Sequence, residues 1–138
     1  MSHCPPSQHE RIELMKSYKY HFLGQDYNLG FFFDRYTFNG NLYVGLINLD
    51  DDDDPWFADL TVNIIILLPY AAVIYDQYDP HITEWLESIG AGTSYGHKLW
   101  YNNCEYPVFQ FNPEFLQNAN PESFGHLGIS QKTTNYCD

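Results

Sequence analysis

The chain has 138 residues and a mass of 16.2 kDa, a length that suits one domain. Hydrophobic residues make up 44%, enough for a buried core, which excludes wholesale disorder. Its 18 acids against 6 Lys and Arg give a net charge of -12, which argues against direct binding to nucleic acid or an anionic membrane, since both need clustered cations.

Residues 1–10 are polar, carry Pro5 and Pro6, and read as a loose terminus. They lack the cationic start and apolar stretch of a secretory signal. The longest aliphatic run, Ile64 to Leu68, is far short of the roughly 20 residues of a membrane helix. Cys4, Cys104 and Cys137 are an odd set without metal-ligand spacing, so neither a disulfide framework nor a zinc site is expected. The expected compartment is the cytoplasm. Tyr18 to Phe22 and Tyr27 to Phe33 are aromatic-rich and read as strands, with Gly24-Gln25-Asp26 as the turn. Phe38-Asn39-Gly40-Asn41 reads as another tight turn. Leu42 to Leu49 alternates, with Leu42, Val44 and Leu46 on one face and Tyr43 and Ile47 on the other. Phe57 to Ile64 alternates too, so the two segments predict an antiparallel hairpin closed by Asp50 to Pro55.

Asp79 and Pro80 can open a helix whose apolar stripe is Ile82, Trp85, Leu86 and Ile89, and Gly90 can end it. Gly90 to Gly96 then reads as a flexible loop, not a phosphate-binding loop, because no Lys-Ser or Lys-Thr closes it. Tyr106 to Phe111 reads as a last strand, with Pro107 favouring an edge or strand-start position. Asn112-Pro113 opens a second helix to about Ala119, and residues 122–138 read as a loose tail. The expected fold is a single α+β domain over residues 1–138, a curved antiparallel sheet of about four to six strands with one or two short helices on one face.

The charge is not spread evenly. Residues 36–97 hold no Lys or Arg but ten acids: Asp50, Asp51, Asp52, Asp53, Asp54, Asp59, Asp76, Asp79, Glu84 and Glu87. The run Asp50 to Asp54 admits three readings. It is a solvated hairpin tip, a cation loop, or an imitation of a nucleic-acid backbone. An EF-hand fails, because counting from Asp50 puts Pro55 at position 6 and Thr61 at position 12. The imitation has a geometric basis: an extended run carries one charge per roughly 3.3 Å, against roughly 3.4 Å per phosphate along a DNA strand. Cys104 or Ser94 with His97 nearby offers a nucleophile, but the spacing assembles no base and orienting group, so no catalytic residue, metal or cofactor is expected. Aromatics at 18% serve either the core or a protein-binding face.

The order of a hydrophobic strand, an acidic loop, Phe57-Ala58-Asp59-Leu60-Thr61-Val62-Asn63, a helix ending in Gly90-Ala91-Gly92, Tyr106-Pro107-Val108-Phe109-Gln110-Phe111-Asn112 and Glu114-Phe115-Leu116 resembles a small bacterial domain family of unknown function. That family occurs in Firmicutes and Bacteroidetes, often on plasmids, integrative elements or phages. The resemblance spans roughly residues 20–118 and brings no catalytic residues. It departs in the length of the Asp run and in Ile64 to Leu68. It implies a setting in which acidic anti-defence proteins are common.

Two functions are therefore expected as rivals. In the first, the ten acids occupy the cationic groove of a nucleic-acid-binding protein, such as an RNA-guided or restriction nuclease, and the chain is a monomeric, non-enzymatic inhibitor. In the second, the chain is an accessory domain that binds a protein through an aromatic face or a sheet edge, and the acids only confer solubility.

Overall fold

The computed structural model describes residues 15–64 and 69–127. The expected loose start at residues 1–10, the cysteines Cys4 and Cys137, residues 65–68 of the aliphatic run and the tail from 128 onward lie outside them.

The α+β class stands, built as two four-stranded antiparallel sheets. Sheet A has the order β1-β2-β3-β4, formed by Tyr18–Phe22, Gln25–Arg35, Leu42–Asn48 and Trp56–Asp59. Sheet B has the order β5-β6-β8-β7, formed by Thr61–Val62, Ala71–Ile74, Cys104–Phe111 and Gly92–Tyr101. Helix α1 is Ile82–Ser88 and helix α2 is Pro113–Ala119. A further helical stretch, residues 121–127, is called α3.

Period-two alternation sets the inner face of sheet A. Leu29, Phe31 and Phe33 of β2 and Leu42, Val44 and Leu46 of β3 are all at most 1% exposed. They share one core with Ala72 and Ile74 of β6, Phe109 and Phe111 of β8, and Ile82, Leu86, Phe115 and Leu116 of the helices. The chain passes between the sheets at Leu60. Its amide donates to the Val44 carbonyl at 2.9 Å in sheet A, and its carbonyl accepts from the Tyr75 amide at 2.8 Å beside sheet B. The segment expected as one strand, Phe57 to Ile64, is thus β4 and β5, divided where a single residue changes sheets.

Local chemistry explains the other differences. The β1–β2 turn sits on Leu23 and Gly24, with φ of 52° and 75°, so Gln25 and Asp26 belong to β2. Two consecutive positive φ values match the right-handed twist of a tight hairpin. Asn102 and Asn103, φ 51° and 64°, close β7–β8 in the same way. The loop expected over Gly90 to Gly96 is instead the end of α1 and the start of β7. Gly90 takes φ 82°, its amide donates to Glu87 and the Ala91 amide to Leu86, which together stop the helix. Gly92 then enters the ladder opposite Phe111, where a Cβ would meet the Gln110 carbonyl oxygen at 2.0 Å. A glycine there marks close backbone approach, not looseness. Strand β8 is central and Pro107 is its fourth residue, contrary to the edge or strand-start position expected for the proline. The proline is tolerated because the pairing with β6 stops at Val108.

The loose tail expected over 122–138 fails for residues 122–127, which are helical. Asn120 caps them: its Oδ1 accepts from the Ser123 amide at 3.2 Å, and Pro121 supplies the first turn. The Asn120 Nδ2 donates to the Phe31 carbonyl at 2.9 Å. Strand β1 pairs β2 only as far as Leu29, so this amide satisfies part of the β2 edge that β1 leaves open.

Candidate protein-binding site

The ten acids divide by what holds them. Asp50 to Asp54 form the exposed tip of the β3–β4 hairpin. The Asn28 Nδ2 donates to Asp50 at 3.0 Å, and the Asp51 carboxylate accepts the amides of Asp53 and Asp54 at 3.1 and 3.0 Å. The tip is therefore a folded turn, since an Asx side chain standing in for a backbone acceptor fixes its direction. Asp52, Asp53 and Asp54 keep side chains with no hydrogen-bond partner among the described residues.

The remaining five lie elsewhere and serve the fold. Asp59 accepts from the Tyr43 hydroxyl at 2.7 Å. Asp76 is 7% exposed and its Oδ1 accepts from the Gln77 side-chain Nε2 at 3.0 Å. Asp79 accepts from the Tyr20 hydroxyl at 2.5 Å and from the His81 amide at 3.0 Å, which ties β1 to the turn before α1. Glu84 meets His81 at 3.1 Å, and Glu87 accepts the Ser94 amide at 2.9 Å. The expected set of ten is thus not one uniform surface. Asp76 is buried, and the hairpin tip alone brings five of them together.

Around Asp79 the electrostatics are steep. Burial and the Asp79 carboxylate push the Tyr20 phenol well above the ordinary tyrosine range. Burial, then the charge of Asp79, push Tyr78 up to about 12. The Tyr78 hydroxyl is out of solvent with no hydrogen-bond partner. Tyr20 is part of the core and Tyr78 packs against that core, so both stand there as neutral phenols.

The nucleophile options do not assemble. Cys104 pairs with Tyr101 at the hairpin end, while His97 sits in the bulge between Ser94 and Lys98. That is three to four residues along a ribbon, roughly 10–13 Å. Ser94 pairs with Phe109 beyond the bulge. Among the described residues no group of three or more His, Cys, Asp or Glu is placed to hold a metal ion, and no helix is long and apolar enough to cross a membrane.

One surface was not anticipated. On the outer face of sheet A, Gly45 of β3 lies beneath two rings: a Cβ there would meet the Trp56 ring at 2.5 Å and the Tyr43 hydroxyl at 2.7 Å. The two rings are parallel, 5° apart with centroids 6.3 Å apart. Phe32 stands edge-on to Tyr43 at 6.4 Å, and Tyr36 at 5.5 Å. Beside them runs a trough of about 380 Å³ whose lining includes Phe32, Asp34, Ile47, Trp56, Ser123 and His126. The signal was present as a glycine between outward-facing Tyr43 and Ile47, since an interior strand glycine marks a close approach.

No family model, no curated protein and no solved structure matches this chain.

Proposed function

We propose that the chain is a non-catalytic protein-binding domain that sets its acidic β3–β4 tip into the cationic groove of a nucleic-acid-binding protein. The observation that carries this reading is the contrast within one loop. Asp51 shapes the turn, while Asp52, Asp53 and Asp54 face solvent unpaired. Carboxylates packed this closely repel one another and contribute nothing to this fold, so their use lies outside it. Residues 36–97 hold no Lys or Arg that could neutralise them from within that stretch.

A groove built for phosphates offers Lys and Arg at the spacing such a tip can meet. Complementary charge speeds encounter and makes affinity sensitive to salt. A defence nuclease, whose groove holds a nucleic-acid backbone, is the partner this reading favours, and blocking that groove the outcome. The experiment is capture of partners from a bacterial host lysate on the immobilised chain, beside a variant in which Asp52, Asp53 and Asp54 are Asn. Retention of a nucleic-acid-binding protein by the parent chain and its loss by the variant support the reading. Equal retention by both chains would remove it.

A further inference from the structure

The outer face of sheet A carries a second kind of chemistry, and the proposal drawn from it goes beyond the acidic tip because Asp50 to Asp54 take no part. We infer that this face receives an arginine side chain of a protein partner, laid over the Tyr43 and Trp56 rings between Asp34 and Asp59.

The argument begins with the glycine. Any other residue at position 45 would press on both rings, so the strand gives up a side chain to let them lie parallel over it. Trp56 keeps 46% of its surface in solvent. A guanidinium stacks on such a ring through the ring quadrupole and its own planar π system, and arginine does so more readily than lysine.

The flanks supply the opposite charge. Asp34 of β2 lies opposite Tyr43, and Asp59 of β4 lies opposite Gly45, one strand to either side of β3. Two strand spacings and the two-residue offset between Tyr43 and Gly45 place their backbones roughly 12 Å apart across the sheet. Asp34 uses Oδ1 to accept the Arg35 amide at 2.8 Å, and Asp59 uses Oδ1 for Tyr43 at 2.7 Å. The Oδ2 atoms of both have no partner among the described residues, so each flank retains an acceptor for a guanidinium N–H. Burial and the hydrogen bond to Asp59 raise the Tyr43 phenol well above its ordinary range, which keeps that ring neutral.

Among the described residues no Lys or Arg competes at this place. No Lys or Arg is among the described residues lining the trough. Arg35, next to Asp34, is turned away, its Nη1 donating to the Pro69 carbonyl at 2.9 Å and its guanidinium facing the Tyr70 ring. The trough beside the rings gives room for the peptide that carries the arginine.

The test is a titration of the isotopically labelled full chain with acetyl-Gly-Arg-Gly-amide, followed by heteronuclear NMR, with the citrulline peptide as the uncharged control. Saturable shifts at the Trp56 indole and the Gly45 amide are expected, absent with citrulline. Trp56→Leu or the milder Asp34→Asn should weaken binding about two- to fivefold. The Asn variant at Asp52, Asp53 and Asp54 should bind the peptide as the parent does, so failure of the tip and failure of this face are read separately. Shifts centred on residues 50–54 and lost in that variant, equal shifts with citrulline, or shifts that grow with protein concentration alone would each overturn the proposal, the last by showing a second copy on the face.

Discussion

Replacing Asn120 by Ala should be among the more damaging single changes on the protein's periphery. The side chain is 4% exposed and makes two bonds at once, Nδ2 to the Phe31 carbonyl at 2.9 Å and Oδ1 from the Ser123 amide at 3.2 Å. Alanine leaves a carbonyl on the open edge of β2 and an amide in the first turn of α3 without partners. A buried polar group left unsatisfied costs about 1–3 kcal/mol, and loss of a cap typically costs about 1 kcal/mol. The two losses overlap only in part, so the expected destabilisation is about 2–4 kcal/mol. For a chain of this size that lowers Tm by roughly 8–15 °C. Asn120→Ser retains the capping oxygen and should recover about half of the loss. Urea unfolding followed by tryptophan fluorescence measures both, and an unchanged m-value certifies that the folded and unfolded states are the same ones. A loss below about 0.5 kcal/mol for the alanine variant would refute the clamp, because surface substitutions alone produce changes of that size.

Further outcomes follow from the same structure. Tyr78→Phe should leave the protein as stable or more stable at neutral pH, by up to about 2 kcal/mol, because it removes a buried hydroxyl without a partner. Since the Tyr78 pKa is raised to about 12 in the fold, its stabilisation is complete below the ordinary tyrosine value and is lost as pH rises towards 12. An alkaline unfolding series should therefore show a shallower fall for Tyr78→Phe than for the parent, and parallel curves would contradict the assignment. Gly92→Ala should cost about 2 kcal/mol or more, since its Cβ would press on the Gln110 carbonyl oxygen. Gly96→Ala, with open space but φ of 86°, should cost only about 1 kcal/mol, and a reversed order in thermal melts would contradict the strand assignment of β7. Neutralising Asp52, Asp53 and Asp54 with Asn should leave Tm unchanged or raise it, with the gain shrinking as salt is added, whereas Asp51→Ala should lower Tm by breaking the turn.

Much of this fold was legible because its strands and helices carry their own punctuation. Leu42, Val44 and Leu46 alternate with Tyr43 and Ile47, and the first three enter the core while Tyr43 stays half-buried and Ile47, on the other face, is buried as well. Asn112-Pro113 announced α2, and the Asn112 side chain accepts the Glu114 amide at 3.0 Å. The same dipeptide at Asn120-Pro121 announced α3 equally clearly. It was outweighed by the polar composition beyond it, although Ser123 and Leu127 are buried. Gly90 to Gly96 misled for a different reason. Its glycines stop a helix, admit a close strand approach and turn a bulge, three strict demands that look like softness when only composition is read.

The candidate site was legible in one dimension only. The Asp run could be placed on a hairpin tip from turn chemistry. That Asp59, Asp79 and Glu87 serve as acceptors within the fold depends on Tyr43, Tyr20 and Ser94, which are 16, 59 and 7 residues away. Pairings at such separations are set by the sheet register, which local spacing does not encode.

The most direct test of the central claim is competition at the groove. The immobilised chain is loaded with its captured partner at about 50 mM salt and challenged with nucleic acid, then with about 500 mM salt, where exposed charges more than about 4 Å apart are largely screened. The account predicts release by both, and no initial capture by the variant with Asn at Asp52, Asp53 and Asp54. A partner that stays bound through both challenges, or that the variant captures as well as the parent, would show that the acidic tip is not the binding element.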